Sequence, residues 1–234
     1  MAKYCIVGKS GLIGGALARR LKDVSSTPTD DTEVIFDFGS PVHPPFEENP
    51  DYYIKTLINR HLYFLSLGKY YVWPSSALVY EEKEIAFTHF KRVMEELAKI
   101  YPNNLGLRIF PVYGPGEKRT AIYQWCEDMK QGKRPTVYGD GTQERDFIYI
   151  EDVVDQILHY VTMKSTGIVD IGAGKPTSFN DIIKIINEIL GTTLEPIYKE
   201  APKGYSKGIV CKNPLPTISL YEGIRKVLIY ESKI

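Results

Sequence analysis

The chain has 234 residues, of which 43% are hydrophobic, so it is long enough for one large or two small domains with a sizeable core. Basic and acidic residues both number 29, and this balance argues against binding nucleic acid or a membrane surface through bulk charge. The three cysteines lie far apart without the spacing of metal ligands, no apolar run approaches a membrane span, and no signal-peptide pattern opens the chain. We therefore expect a cytoplasmic globular protein that binds no metal.

A glycine-rich turn follows the first predicted strand. Residues 3–7 are typical of a short buried strand, and residues 15–21 continue as a helix. A strand, a glycine-rich turn and a helix together place a pyrophosphate group at the helix N-terminus, where backbone N–H groups are unpaired. A purely structural turn is the alternative interpretation. The residues of this turn that we predict to bind a dinucleotide are Gly8, Lys9, Ser10, Gly11, Leu12, Ile13 and Gly14.

Charged residues near this turn bear on which dinucleotide would bind. Lys9 lies in the turn, and Arg19 and Arg20 lie on the following helix, where they suit the 2′-phosphate of NADP. Solvated surface charge explains these three residues equally well. Asp37 lies about 20 residues after the last glycine of the turn, which is the spacing of an acid that binds the ribose of NAD.

Strands and helices alternate along the rest of the chain. Residues 23–33 are polar and rich in turn-forming residues, so we predict a loop there. Beyond that loop, the patterns predict strands at 34–38, 70–73, 105–110 and 168–171, and helices at 49–67, 87–101, 119–131, 151–163, 179–190 and 219–231. This alternation predicts an α/β fold in which helices cover both faces of a parallel sheet.

The stretch from 75 to 95 has the spacing of a proton-transfer site. Positions 87 and 91 lie on one face of the predicted helix because they are four residues apart. The charge of Lys91 would lower the pKa of a tyrosine at position 87 from its usual value of about 10. That position is Phe87, which has no hydroxyl, so the pair lacks the group that transfers the proton.

Several motifs occur together in one order. They are GKSGLIG at 8–14, SSALVY at 75–80, Lys91 with Glu95, LRIFPVYGPG at 107–116, VYGDG at 137–141, RDFIY at 145–149 and DVV at 152–154. With these motifs the chain resembles the extended short-chain dehydrogenases/reductases, in the NAD-dependent nucleotide-sugar epimerase/dehydratase family. Residues 41–45, 49–50, 54–56 and 91–93 look most like the UDP-glucuronate decarboxylase branch of that family.

The resemblance implies two domains with different ligands. A Rossmann-like domain at 1–112 and 146–173 would bind NAD or NADP, and a smaller domain at 113–145 and 174–234 would bind a nucleoside-diphosphate sugar. The reaction would begin with, or consist of, hydride transfer between a sugar carbon and the nicotinamide. The family also implies a homodimer, formed through the predicted helices that contain positions 49–67 and 87–101.

Individual roles follow from the resemblance by position. Ser76 would hydrogen-bond the reacting sugar hydroxyl, and Lys91 would hold the nicotinamide ribose. Gly39 and Ser40 would add to the cofactor site. The remaining residues that would bind the nucleotide sugar are Pro111 at a phosphate-contact position, Val137 and Tyr138 beside the base, and Arg145 at the diphosphate, where its guanidinium suits phosphate oxygens.

The sequence departs from the family pattern at four places. Phe87 replaces the catalytic tyrosine, Pro111 replaces an asparagine that contacts phosphate, and Ala77 replaces the catalytic glutamate of the decarboxylase branch. The fourth departure is length, because about one βαβ unit of roughly 30 residues is missing between the first helix and position 34. That unit normally supplies adenine and ribose contacts. On this alignment Asp37 is not the ribose acid.

Two functions remain open from the sequence. The first is NAD(P)-dependent modification of a nucleoside-diphosphate sugar by epimerisation, dehydration or keto-reduction. The alternative is a catalytically degraded relative that binds a nucleotide sugar or a partner without turnover. An engineered change at Phe87 would also explain the lost hydroxyl. Structural roles are possible as well: core packing for Phe87, capping for Ser76, and a pair with Asp146 or Glu144 for Arg145.

Overall fold

The computed structural model describes residues 3–39, 50–81, 86–201 and 208–231. The chain divides into two compact units, the first formed by Met1–Ile109 and Val154–Ile171, the second by Phe110–Val153 and Gly172–Ile234. The predicted domains change over at 112 and 145, whereas the units change over at 109 and 153. The assignment of a cofactor to one unit and a nucleotide sugar to the other stays a prediction.

The secondary structure follows the predicted alternation. The strands are β1 Tyr4–Val7, β2 Val24–Ser25, β3 Val34–Asp37, β4 Tyr70–Ser76, β5 Asn104–Ile109, β6 Val112–Tyr113, β7 Thr136–Tyr138, β8 Glu144–Arg145, β9 Ile148–Tyr149, β10 Gly167–Ile171, β11 Thr177–Ser178 and β12 Ile197–Lys199. The helices are α1 Leu12–Arg20, α2 Pro50–Tyr53, α3 Arg60–Ser66, α4 Ala86–Ala98, α5 Ala121–Lys130, α6 Ile150–Thr162, α7 Phe179–Leu190 and α8 Leu220–Glu231. A π-helical segment, Ile54–Asn59, joins α2 to α3, and a 3₁₀ turn, Ala77–Tyr80, follows β4.

The first unit is built on a parallel sheet with the strand order β10-β5-β4-β3-β1-β2. Against one face pack Tyr53, Phe64 and Met94 from the helices, in a cluster that includes Tyr71 and Trp73 of β4. These side chains recur at helical spacing on their helices, so burial of one apolar stripe orders each helix on the sheet. The predicted Rossmann-like parallel sheet with helices on both faces is confirmed.

The predicted shortening is visible between α1 and β3. Residues 21–33 contain no helix, and they form only the two-residue strand β2, which pairs with Tyr4 and Cys5 of β1. The prediction of a loop throughout 23–33 is therefore wrong at Val24–Ser25. A two-residue edge strand is too short to produce a periodic pattern, so the sequence did not reveal it. The Lys69 ammonium donates to the carbonyl oxygens of Asp30 and Thr32 and holds the rest of this connection.

Strand β4 runs further than predicted. We expected it to end at Trp73, because proline removes a backbone donor and interrupts most strands. In the structure β4 continues through Pro74 to Ser76, pairing with β5 up to Ile109. Its pairing with β3 ends at Val72, so the missing N–H of Pro74 leaves no ladder hydrogen bond unmade on that side. The extension carries Ser75 and Ser76 to the carboxyl edge of the sheet.

The second unit contains three of the predicted helices, α5, α7 and α8, together with short strand pairs. β7 pairs with β12, β8 with β11, and β6 with β9. The fully buried Asp146 carboxylate accepts hydrogen bonds from the backbone N–H groups of Ala173, Gly174, Lys175 and Cys211. This carboxylate therefore ties three segments of the unit together.

Candidate functional site

The glycine turn after β1 has a backbone that only glycine permits at two of its positions. Gly8 has φ +85°, and a Cβ atom there would lie 2.5 Å from the carbonyl oxygen of Phe38. A Cβ atom on Gly14 would lie 2.2 Å from the carbonyl oxygen of Gly8. The turn is consequently compressed against the start of α1, and ligand atoms can approach its backbone closely.

The N-terminus of α1 has the properties of an anion site. Gly11 is the N-cap residue and provides no side-chain cap, and the first turn contains no acidic residue. The helix dipole and the unpaired N–H groups of the first turn therefore favour a negative group. Together with the close approach allowed by Gly8 and Gly14, this geometry fits the pyrophosphate of a dinucleotide. Arg20, one of the cations considered for a 2′-phosphate, forms an ion pair with Asp155 at 2.7 Å.

Asp37 ends β3, on the side of β1 away from β2. Its carboxylate forms an ion pair with Arg60 at 2.8 Å and accepts the N–H of Gly39 at 3.1 Å. Since an acid that binds the cofactor ribose follows the second strand of a Rossmann sheet, this position supports the alignment that discounts Asp37 as the ribose acid. Gly39 lies beside the glycine turn, and Ser40 lies outside the described residues.

The Ser76, Phe87 and Lys91 positions lie in the same unit as the glycine turn. The Ser76 hydroxyl accepts the N–H of Leu78 at 3.2 Å and caps the 3₁₀ turn. The Lys91 Nζ lies 5.4 Å from the ring centroid of Phe87, as expected for side chains one turn apart on α4. The arrangement is that of a Tyr–Lys pair in which the hydroxyl has been removed.

Lys91 is buried, with 2% of its surface exposed, and its Nζ donates to the carbonyl oxygen of Pro74 at 2.7 Å. Burial lowers the pKa of Lys91 from 10.5 to about 8. Asp37 and Glu95 act in the opposite direction, and Arg60 adds to the lowering. The low dielectric around the amine disfavours its charged form, so the neutral form becomes accessible closer to physiological pH.

A second buried charge lies one turn further along α4. Glu95 forms two parallel hydrogen bonds with the Arg108 guanidinium, at 2.9 and 2.6 Å, and accepts the Ser75 hydroxyl at 2.5 Å. The Arg108 guanidinium carbon lies 4.6 Å from the ring centroid of Tyr80, whose hydroxyl donates to Asp170. The sequence analysis placed Glu95 in a motif but missed this network. The spacing of Lys91 and Glu95, four residues apart, was the available signal.

In the second unit, the predicted substrate residues differ in exposure. The Val137 side chain is fully buried, whereas Tyr138 is 46% exposed and lines a cavity of about 360 Å³. Trp125 and Phe179 also line this cavity, together with the cations Arg119 and Lys199. Aromatic surface beside cations suits a nucleotide, and only the side chain of Tyr138 among the two predicted residues is available to it.

Arg145 and Pro111 are also in the second unit. The Arg145 guanidinium lies 5.4 Å from the ring centroid of Phe179 and donates to the carbonyl oxygen of Glu144. Pro111 is exposed, and its carbonyl oxygen accepts the N–H of Ile148 at 2.9 Å. Pro111 has no side-chain donor, so it cannot replace an asparagine at a phosphate oxygen.

Within the described ranges, no group of three or more His, Cys, Asp or Glu side chains is arranged to hold a metal ion. Across the same residues, no helix is both long and apolar enough to cross a membrane.

Comparison with known proteins finds a family match over part of the chain. Residues 79–172 match the model of the "NAD dependent epimerase/dehydratase family". This part of the chain therefore resembles that family. The matched residues include α4, the Glu95–Arg108 network and the segment from Pro111 to Asp146, which agrees with the resemblance found in the sequence.

Curated members of the family align with part of the chain. It is 34% identical over 154 residues to a putative UDP-glucose 4-epimerase of Methanocaldococcus jannaschii, covering 59% of this chain and 50% of that protein. It is 31% identical over 153 residues to a UDP-glucuronate 4-epimerase of Thermodesulfobacterium geofontis, covering 59% and 47%. The chain thus spans about half the length of these relatives. Both relatives are named as epimerases, so the resemblance to the decarboxylase branch stays a prediction.

Solved structures with this fold cover the whole chain. A UDP-N-acetylglucosamine 4-epimerase from Methanobrevibacter ruminantium M1 superposes with a TM-score of 0.85 and 19% identity, covering 99% of this chain and 98% of that one. The UDP-glucose 4-epimerase of Thermotoga maritima superposes with a TM-score of 0.81 and 21% identity, covering 98% of each chain. At these identities the likeness establishes the fold of this chain alone.

Proposed function

We propose that this chain is a member of the NAD-dependent epimerase/dehydratase family, binds NAD or NADP on its first unit and modifies a nucleoside-diphosphate sugar. The carrying observation is that the glycine turn, the open N-terminus of α1 and the Ser76–Lys91 pair all belong to one unit with a parallel sheet. In such sheets, ligands bind outside the carboxyl ends of the strands. Epimerisation is the favoured reaction because the relatives reported above are named as epimerases. Dehydration and keto-reduction belong to the same chemical class.

The residues of the first unit divide the work of binding and chemistry. The backbone at Gly8–Gly14 binds the pyrophosphate, Lys91 holds the nicotinamide ribose, and Ser76 hydrogen-bonds the reacting sugar hydroxyl. When bound, the oxidised nicotinamide supplies a hydride acceptor for the sugar carbon. The two-residue β2 replaces the unit that normally contacts adenine and ribose, so we expect weaker dinucleotide binding than in full-length members of the family.

In the second unit, we propose that Arg145 binds the diphosphate and Tyr138 contacts the base. The guanidinium of Arg145 matches phosphate oxygens, and the exposed ring of Tyr138 offers a stacking surface. We also propose a homodimer through the helix 50–66 and α4, which carry the exposed apolar side chains of Tyr63 and Val93. A cytoplasmic location is part of the same proposal.

A ligand series tests the function. The protein is heated alone and with NAD, NADP, and UDP-, ADP-, dTDP- and GDP-sugars, and the same mixtures are analysed for sugar products by chromatography. We expect one dinucleotide and one nucleotide sugar to raise the melting temperature and one product to form. Binding stabilises the folded state according to the ligand concentration over Kd. Failure of every sugar to bind or react would reject the proposal.

A matched pair of glycine variants localises the dinucleotide. Gly14→Ala adds a methyl group 2.2 Å from the Gly8 carbonyl oxygen, so we expect loss of the dinucleotide-induced shift. Gly68→Ala is the control, because it also strains the backbone, at φ +67°, but lies outside the glycine turn and its Cβ atom would meet nothing within 4 Å. Equal dinucleotide shifts in the two variants would move the cofactor site away from Gly8–Gly14.

The degraded alternative finds no support in the comparisons, because the similar proteins are named as epimerases and dehydratases. Phe87 nevertheless removes the usual proton-transfer group. An active protein must therefore use another group for that step.

A further inference from the structure

Lys91 places a titratable group close to the position of the missing hydroxyl. Phe87 is half-buried on α4, and the Lys91 Nζ lies 5.4 Å from its ring centroid. A group that replaces the tyrosine must be within hydrogen-bond reach of the sugar hydroxyl, directly or through one water molecule. Lys91 lies one helical turn from the position of the missing hydroxyl and has a group that can take up a proton.

The other hydroxyls nearby are already used or poorly suited. Ser76 accepts the N–H of Leu78, and a serine hydroxyl needs an adjacent base before it can take a proton. The Tyr80 hydroxyl donates to Asp170, and burial raises its pKa. The Ser75 hydroxyl is buried and donates to Glu95. These three hydroxyls are therefore poor proton acceptors.

Lys91 has unused hydrogen-bonding capacity in a buried place. A lysine ammonium has three donors, and a buried one normally pairs with all or most of them. Within the part of the chain that the structure describes, its Nζ makes one hydrogen bond, to the carbonyl oxygen of Pro74. The amine is thus as buried as a core group, yet most of its hydrogen-bonding capacity remains for a ligand.

We propose that the Lys91 amine accepts the proton of the sugar hydroxyl in place of the absent tyrosine. This inference rests on the proposed function. In the oxidising step the hydroxyl O–H bond breaks and an N–H bond forms at Nζ, so the neutral amine becomes an ammonium. The carbonyl forms at the sugar carbon, and a bound oxidised nicotinamide would accept the hydride. In the reducing step the reduced nicotinamide would return the hydride to the carbonyl carbon, while the ammonium returns the proton to the oxygen.

The charges around Lys91 set when it is neutral. Asp37 from the end of β3 and Glu95 from α4 favour the ammonium, and Arg60 from α3 disfavours it. His61, also on α3, has a pKa lowered to about 4 by burial and is neutral at physiological pH. Asp37 and Arg60 form an ion pair and act on Lys91 in opposite directions, so they are positioning residues that tune the amine.

The first experiment observes the amine without turnover. Lysine side chains labelled with ¹³C and ¹⁵N are followed by NMR from pH 6 to 11 in the wild type, in Lys91→Met and in Lys99→Met. Lys99 is the control because it is an exposed lysine directly after α4. We expect one signal to titrate near 8, to disappear in Lys91→Met and to remain in Lys99→Met. Titration of Lys91 at the ordinary value of about 10.4 would overturn the proposal.

The second experiment uses the pH dependence of kcat/KM with the sugar identified by the ligand series. The rate should rise as pH increases through the Lys91 pKa, since only the neutral amine accepts a proton. Asp37→Asn should move the midpoint down and Arg60→Gln should move it up, with circular dichroism confirming the fold of both. If Asp37 and Arg60 were only a structural pair, the two substitutions would change the maximal rate and leave the midpoint of the pH profile in place. That result would overturn the claim that these two residues tune the pKa of Lys91.

Two further variants separate this proposal from the function itself. Lys91→Arg keeps the positive charge but cannot become neutral, so the rate should fall about 10²–10⁴-fold while the nucleotide sugar still binds. Phe87→Tyr in the Lys91→Arg background restores a hydroxyl and should recover part of the rate. A Lys91→Arg protein with the wild-type rate would overturn the proton role alone. A wild type that binds neither ligand would remove the proposed function and this inference with it.

Discussion

Two buried charges on α4, Lys91 and Glu95, lie one turn apart and have opposite hydrogen-bonding environments. Glu95 is 5% exposed, and its oxygens are held by Arg108 and Ser75. Lys91 is 2% exposed, and the described part of the chain gives its Nζ only the Pro74 carbonyl oxygen. The same helix face therefore contains one saturated charge and one unsaturated charge.

If Lys91 has the proposed role, the difference separates a structural charge from a functional one. A buried carboxylate with three good hydrogen bonds is stabilised as an ion and fixes the helix against β4 and β5. A buried amine with one hydrogen bond lowers the free energy of unfolding, as groups at functional sites commonly do. Perturbing each charge should consequently change stability in opposite directions.

The largest effect is expected from Glu95→Ala. It leaves the Arg108 guanidinium and the Ser75 hydroxyl without their partner, and breaking such a buried pair costs about 3–5 kcal/mol. Because Arg108 is 24% exposed, we expect the lower end of this range. Urea unfolding measures the change. Glu96→Ala is the control, since Glu96 is 70% exposed and its ion pair contributes little. Equal losses in both variants would contradict the structural role of Glu95.

We expect Lys91→Met to raise the free energy of unfolding while it removes the proposed activity. With the pKa lowered from 10.5 to about 8, the unfolded chain binds more protons than the folded one between those values, so stability rises with pH across that window. At pH 7 this corresponds to a destabilisation of about 3 kcal/mol that the variant relieves. The free energy of unfolding of both proteins at pH 7 checks this. A less stable variant would mean that Lys91 is a structural charge like Glu95.

His61 extends the comparison to a third buried group beside α4. Its Nε2 lies 3.1 Å from the carbonyl oxygen of Met94, and burial lowers its pKa to about 4. The unfolded chain protonates first as pH falls below about 6.5, so stability present above 6.5 is lost towards pH 4. Between pH 6.5 and pH 4, we expect the free energy of unfolding of His61→Gln to fall by about 2–3 kcal/mol less than that of the wild type. His159→Gln, at an exposed position, should follow the wild type.

The smallest effect is expected from Tyr80→Phe. The variant keeps the ring against Arg108 and removes the hydrogen bond to Asp170 at 2.8 Å, which is worth about 0.5–1.5 kcal/mol. Tyr80 is half exposed, so water replaces part of this bond and the lower end applies. Urea unfolding again measures the change. A loss of stability as large as that of Glu95→Ala would contradict this small contribution of the Tyr80 hydroxyl.

The fold was largely predictable because its signals are local. Helical spacing predicted α7 at 179–190, and the glycine turn predicted the β1–α1 connection. The strand boundaries were less predictable. Strand β4 continues through Pro74 only because β3 stops pairing at Val72, and that depends on a neighbouring strand rather than on the residues of β4.

The sequence by itself indicated the resemblance to the family, the glycine turn and the absence of a hydroxyl at Phe87, since each depends on residue identity at a local spacing. Tertiary structure decided what the remaining charges do. Glu95 and Arg108 are 13 residues apart in the chain, and they meet because β5 lies under α4. The unpaired capacity of Lys91 likewise depends on which chain segments surround it. Burial and hydrogen-bond partners arise from packing, so only the folded chain distinguishes the saturated charge of Glu95 from the unsaturated charge of Lys91.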